Sequence, residues 1–188
     1  MRHSIRLLNS SNIDALLEDF TLELADIGKT TVGLTGVPLL LALKRERIGH
    51  GPYPHVTMFE AANRIMTDLV ILHGVRGLLN CKALPFDEYT VEFGNEDKNG
   101  FDIRAVTASA KLVGEAFNVA PSFFQVKKSS ALKKLRAGAE GATYRVVMFN
   151  SDAVSSAYSA RTEAGLLQVA VDISASTVTI KPSGLESA

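Results

Sequence analysis

The sequence predicts an α/β fold in which helices flank a mixed central sheet. Three observations carry that expectation. Apolar spacing follows the helical period up to residue 79 and the strand period of two from residue 88. Tyr144-Arg145-Val146-Val147-Met148-Phe149 is apolar on both faces, as strands inside a sheet are. Between strand-like runs, Pro121 and Gly138 bracket a helical segment in the proline-first, glycine-last order of helix ends.

With 188 residues, 46% of them hydrophobic, the chain can build one core, so a single domain over 1–188 is expected. It divides into an N-terminal helical extension over 1–50 and an α-β-β-β-α-β core over 55–181. Twenty Lys and Arg balance twenty Asp and Glu, which excludes a polybasic or acid-tailed protein but not a local basic patch. The longest apolar run, 37–43, is too short to span a bilayer. The N-terminus has neither the apolar core nor the cleavage site of a signal peptide, so a cytoplasmic location is expected. A single cysteine, Cys81, excludes an internal disulfide or a thiolate zinc cluster and reads as a small buried residue.

Ser11-Asn12 suits an N-cap, with Asp14 in the first turn. Ile13, Leu16, Leu17, Phe20, Leu24 and Ile27 then recur at helical spacing, and Gly28 closes the helix. Glu18, Asp19, Glu23 and Asp26 form its solvated face. Pro38 fits the first turn of a second helix, 39–45, completing an N-terminal helical pair. An irregular stretch with the loop histidines His50 and His55 follows. A long third helix over 55–79 has the apolar stripe Phe59, Ala62, Met66, Leu69, Val70 and His73. Glu60, Asn63, Arg64 and Thr67 share another of its faces.

A strand over 88–93 ends in the turn signal Asn95-Glu96-Asp97-Lys98-Asn99-Gly100. The next two strands flank Thr107-Ala108-Ser109-Ala110, a polar tetrad suited to a tight turn. The helix from Pro121 runs to about residue 136, and the strand over 144–149 follows. Ser151 or Asp152 caps a short helix ending at Gly165. A strand over 166–173 pairs with 177–180, and the tail beyond Pro182 frays. The sheet therefore has about five strands.

The strongest chemical signal is a pair of acids, in Phe101-Asp102-Ile103-Arg104 and Val113-Gly114-Glu115-Ala116-Phe117. If Val106 opposes Lys111 across the turn, counting back places Asp102 opposite Glu115 on one face. Two carboxylates about 5 Å apart repel by roughly 3 kcal/mol at an effective dielectric near 20. A hard divalent cation between them turns that repulsion into a binding site. Asp172, alone on a late strand, reads as structural.

Five cations, Lys127, Lys128, Lys133, Lys134 and Arg136, gather on the helix after Pro121, a pattern suited to phosphate contacts. Gly28-Lys29-Thr30 imitates the end of a phosphate loop, but Glu23 stands where the earlier glycine belongs and no strand precedes it. Nucleophile elbow, dinucleotide fingerprint and HExxH are all missing from the sequence.

From residue 55, the order helix, three strands, helix, strand, with acids on the second and third strands, resembles the PD-(D/E)XK restriction-endonuclease-like superfamily. That resemblance covers roughly two thirds of the chain. It implies a magnesium-dependent phosphodiesterase, an endonuclease-like hydrolase acting on DNA. Asp102 matches the strand-two aspartate, Glu115 the strand-three acid and Glu60 the acid of the first core helix, with a pair to Arg64 at i,i+4 as the alternative for Glu60. Mg²⁺, or Mn²⁺, is expected on Asp102, Glu115 and Glu60.

The superfamily lysine lies two residues after the strand-three acid, where this chain has Phe117. Some members move it to the next helix, so Lys127, with Lys128 as the alternative, is expected to complete the catalytic set. An alignment of Gln125-Val126-Lys127 as a variant motif conflicts with the helical character of that segment. Lys128, Lys133, Lys134 and Arg136 are the expected DNA contacts. The competing expectation is a catalytically inactive restriction-endonuclease-like fold serving as a nucleic-acid-binding or assembly module. The expected partners are DNA and a second copy in a homodimer, with no membrane.

Overall fold

In the computed structural model, residues 5–82, 84–94, 100–159 and 163–181 are described. Seven strands form one mixed sheet in chain order: β1 (Ile5–Asn9), β2 (Glu88–Glu92), β3 (Ile103–Val106), β4 (Lys111–Phe117), β5 (Tyr144–Asn150), β6 (Leu166–Asp172) and β7 (Thr177–Lys181). Strands β1 to β4 pair antiparallel, β4, β5 and β6 pair parallel, and β7 returns antiparallel. The helices are α1 (Ile13–Leu24), α2 (Gly36–Arg45), α3 (Met58–Cys81) and α4 (Phe124–Gly138).

Side chains alternate across the strands, so the sheet has two differently covered faces. On one face Tyr89, Val91, Ile103, Leu112 and Met148 pack with α1 and α3. On the other, Val113, Phe117, Val147 and Phe149 meet Phe124, Ala131 and Leu135 of α4. Gly114 points to the first face where β4 is crowded. An added Cβ would stand 3.2 Å from the Val146 carbonyl oxygen and 3.3 Å from the Ile103 Cβ. Thr57 caps α3, its hydroxyl accepting the Glu60 N–H at 3.3 Å.

Several expectations change. β1 adds an edge strand, so the N-terminal segment belongs to the sheet, which has seven strands rather than five. α1 stops at Leu24; Gly28, at φ 89°, instead opens the 3₁₀ turn Lys29–Thr31. In α3 the predicted stripe members Phe59 and Ala62 are exposed. From Thr67 to Val75 the helix is buried all round, because the sheet and α1 enclose it. In place of a helix from Ser151 there is one 3₁₀ turn, Ser151–Ala153, since no helical apolar repeat follows the cap residues. Cys81, expected buried, is exposed at the end of α3. The proposed turn at 95–99 and the tail beyond 182 lie outside the described residues. Among the described residues, no helix is long and apolar enough to cross a membrane.

Candidate functional site

The β3–β4 hairpin has the register that the turn chemistry implies. Val106 faces Lys111 and Ile103 faces Gly114. Thr107 fixes the turn by donating its N–H to the Ala110 carbonyl at 2.8 Å and accepting the Ala110 N–H on its hydroxyl at 3.1 Å. One step further along this register, Asp102 comes level with Glu115. Asp102 lies just before β3, and its Oδ2 accepts the Ala116 N–H at 2.7 Å, as a neighbouring strand's carbonyl would. Its own carbonyl accepts the Glu92 N–H at 2.9 Å.

Asp102 and Glu115 line one open cleft of about 660 Å³ at the carboxyl end of β4. Glu115 is 9% exposed, held between Val113 and Phe117 on the α4 face. The Lys134 ammonium stands 3.1 Å from its Oε1. Such a carboxylate would be poorly stabilised among apolar neighbours without a cation, and α4 supplies one. The wall after β4 is fixed by Asn150. Its side chain accepts the Val119 N–H at 2.9 Å and donates to the Val119 carbonyl at 3.0 Å.

The five α4 cations have separate fates. Lys127 lines the cleft and is exposed. Lys134, expected at DNA phosphates, is instead the ammonium on Glu115. Lys128 donates to the Tyr158 hydroxyl at 2.7 Å and stands over the Tyr158 ring, away from the acids. Arg136 pairs with Glu163 at 2.7 Å, and the hydrogen bond from Arg136 holds the Glu163 carboxyl below its ordinary value. Lys133 is exposed. Phe117, two residues after Glu115, is buried and stacked 6.1 Å from Phe149.

Glu60 does not join the acid pair in the cleft; it is half exposed and bonded to Arg64 at 2.6 Å. From its side of α3, Asn63 and Thr67 line the cleft. The next residue, Asp68, is fully buried and was not singled out from the sequence. Its carboxylate accepts the Tyr53 hydroxyl and the Gly94 N–H, the latter at 3.0 Å. Burial pushes its pKa up to about 7; the two hydrogen bonds and Arg64 oppose that, and the Asp102 charge adds to it. Gly94 reaches this carboxylate at φ 85°, a backbone glycine adopts freely. Glu92, also buried, shares the sheet face of Asp102 by register. His50 and His55 are exposed loop residues, as expected.

Among the described residues, no group of three or more His, Cys, Asp or Glu is gathered closely enough to hold a metal, so Glu60 does not complete a trio with Asp102 and Glu115. The carboxylate pair itself fits Mg²⁺, which takes one or two carboxylates and fills its other positions with water and phosphate oxygens. Fold and cleft together define an α/β protein with two carboxylates and two lysines at the carboxyl end of a mixed sheet. Comparison with family models, curated proteins and solved structures finds no match in any of the three.

Proposed function

We propose that the protein is a metal-dependent phosphodiesterase acting on DNA in the cytoplasm. One observation carries the reading: Asp102, just before β3 and bonded to the β4 backbone, lines one open cleft with Glu115 of β4, Lys127 and Lys134. The chain order α3, β2, β3, β4, α4, β5, with β4 and β5 parallel, supports it as well. Asp102 and Glu115 would hold Mg²⁺ or Mn²⁺. When bound, that ion lowers the pKa of an attacking water and offsets phosphoryl charge.

The chain's own groups do the rest. The Ala116 N–H orients Asp102, and Lys134 pairs with Glu115 inside an apolar wall. Lys134 takes the lysine role that the sequence had assigned to Lys127. Its ammonium, 3.1 Å from Glu115, would offset the charge that grows on a phosphoryl group held at the acid pair. Lys127, at the exposed mouth, draws the phosphate backbone toward the acids.

The test is cleavage of plasmid and oligonucleotide DNA with Mg²⁺ or Mn²⁺ beside Asp102→Asn, Glu115→Gln and Lys134→Ala proteins of verified fold. Loss of cutting in all three is expected. Wild-type protein that cuts nothing, or variants that cut as well as wild type, would overturn the reading. The ion pair of Lys134 with Glu115 favours a second reading: a binding module whose buried acid is already neutralised by its own chain. That module binds DNA without cutting it in the same assay.

A further inference from the structure

Phe123 sits in an unusual place for a phenylalanine. It lines the polar cleft of the acid pair, yet 62% of it is exposed and its ring lies outside the cluster formed by Phe117, Phe124, Phe149 and Tyr158. Its neighbour in sequence, Phe124, is buried in that cluster at 2% exposure. The backbone beneath Phe123 is stiff. Pro121 opens the 3₁₀ turn Pro121–Phe123, the Phe123 N–H bonds the Ala120 carbonyl at 2.9 Å, and α4 continues directly from it. Asn150 pins Val119 just upstream. One turn later Lys127 lines the same cleft.

A fixed, exposed aromatic face beside a cation is what a nucleobase and its phosphate need, and stacking requires the base to be unpaired. In a paired duplex the base faces are covered by their neighbours, so this ring would find no partner. We infer that the cleft takes single-stranded nucleic acid, with a base stacked on Phe123 and the adjoining phosphate on Lys127. The inference rests on the phosphodiesterase reading for its location and deepens it by naming the form of the substrate. DNA and RNA present the same base face and phosphate.

The experiment measures fluorescence anisotropy of a labelled oligothymidylate, an oligouridylate and a DNA duplex of equal length, in EDTA, followed by cleavage with Mn²⁺. Wild type should hold a single strand about tenfold tighter than the duplex, and the two single-strand arms report which sugar is preferred. Phe123→Ala should lose about tenfold in single-strand affinity and nothing on the duplex, while Phe123→Tyr keeps wild-type affinity. Lys127→Ala should weaken all three ligands and flatten the salt dependence.

Phe123→Ala binding single strands like wild type overturns the inference, as would follow if the ring served a protein partner. Duplex cleavage equal in wild type and Phe123→Ala also overturns it and leaves hydrolysis standing. Phe123-dependent capture of single strands by a protein that cuts nothing supports it and removes hydrolysis instead.

Discussion

The two faces of the sheet each bury a carboxylate, and they stabilise it differently. On the α3 face Asp68 lies inside the large apolar core, with two hydrogen bonds and a pKa raised to about 7 by burial. On the α4 face Glu115 meets the Lys134 ammonium at 3.1 Å. The first face accommodates an acid by bringing its protonation within reach of neutral pH. The second sets its acid in an ion pair at the wall of an open cleft. An ion-paired acid at an open cleft can meet a cation or a phosphate from solvent, whereas the enclosed Asp68 cannot.

Phe149 tests whether the smaller α4 core matters as much as the larger one. Phe149 is 1% exposed and touches the rings of Phe117, Phe124 and Tyr158. Phe149→Ala should destabilise by about 3–5 kcal/mol in urea unfolding. A change under about 1 kcal/mol would show that the α4 face is peripheral to the fold.

Almost as large is the pH effect of Asp68. Below pH 4 the carboxyl is protonated in folded and unfolded chains alike. As pH rises from 3.8 toward 7 the unfolded chain releases its proton first while the folded chain retains it, so stability falls across that window and levels above it. The loss should total about 4 kcal/mol, and Asp68→Asn should remove it. His73 acts with the opposite sign: burial first, then Arg76, lowers its pKa, so its contribution is lost as pH falls through its unfolded value of 6.5. The difference between wild type and Asp68→Asn isolates the aspartate. Parallel melting profiles for the two proteins from pH 4 to pH 8 would refute the assignment.

Lys134→Met tests the other face. Removing the ammonium leaves Glu115 buried and charged, at about 2 kcal/mol, a figure reduced because Lys134 is itself 37% exposed. Adding Glu115→Gln should restore most of the loss; a double variant no better than Lys134→Met would mean the pair is not coupled. The smallest effect is that of Phe123→Ala, which should shift stability by less than about 0.5 kcal/mol because the ring is mostly exposed. A thermal melt checks it, and a large loss would put the ring in the core.

The acid pair was legible in the sequence because a tight turn fixes register locally, and Thr107 makes that turn with its own hydroxyl. The lysine that reaches Glu115 was harder to read, because it depends on how α4 is rotated against the sheet. A signal existed: Lys127 and Lys134 are seven residues apart, two helical turns, so one face presents both to the cleft. Asp68 also left a mark, as the one charge within the otherwise apolar run Ile65-Met66-Thr67-Asp68-Leu69-Val70-Ile71-Leu72. β1 left little, since five residues with an arginine at the second carry weak alternation, and its pairing with β2 is distant in sequence. The helix expected after Ser151 failed because a cap residue starts a helix only where apolar periodicity sustains it.

That distant pairing has a kinetic consequence. The β3–β4 hairpin closes across a few residues, whereas β1 finds β2 only across the roughly eighty residues between Asn9 and Glu88. Closing the longer loop forfeits about 2–3 kcal/mol more chain entropy than closing the hairpin. During synthesis β1 therefore waits longer for its neighbour than any other described strand of this sheet. Until Tyr89 has been made, Leu8, wholly buried in the finished fold, has no strand partner opposite it.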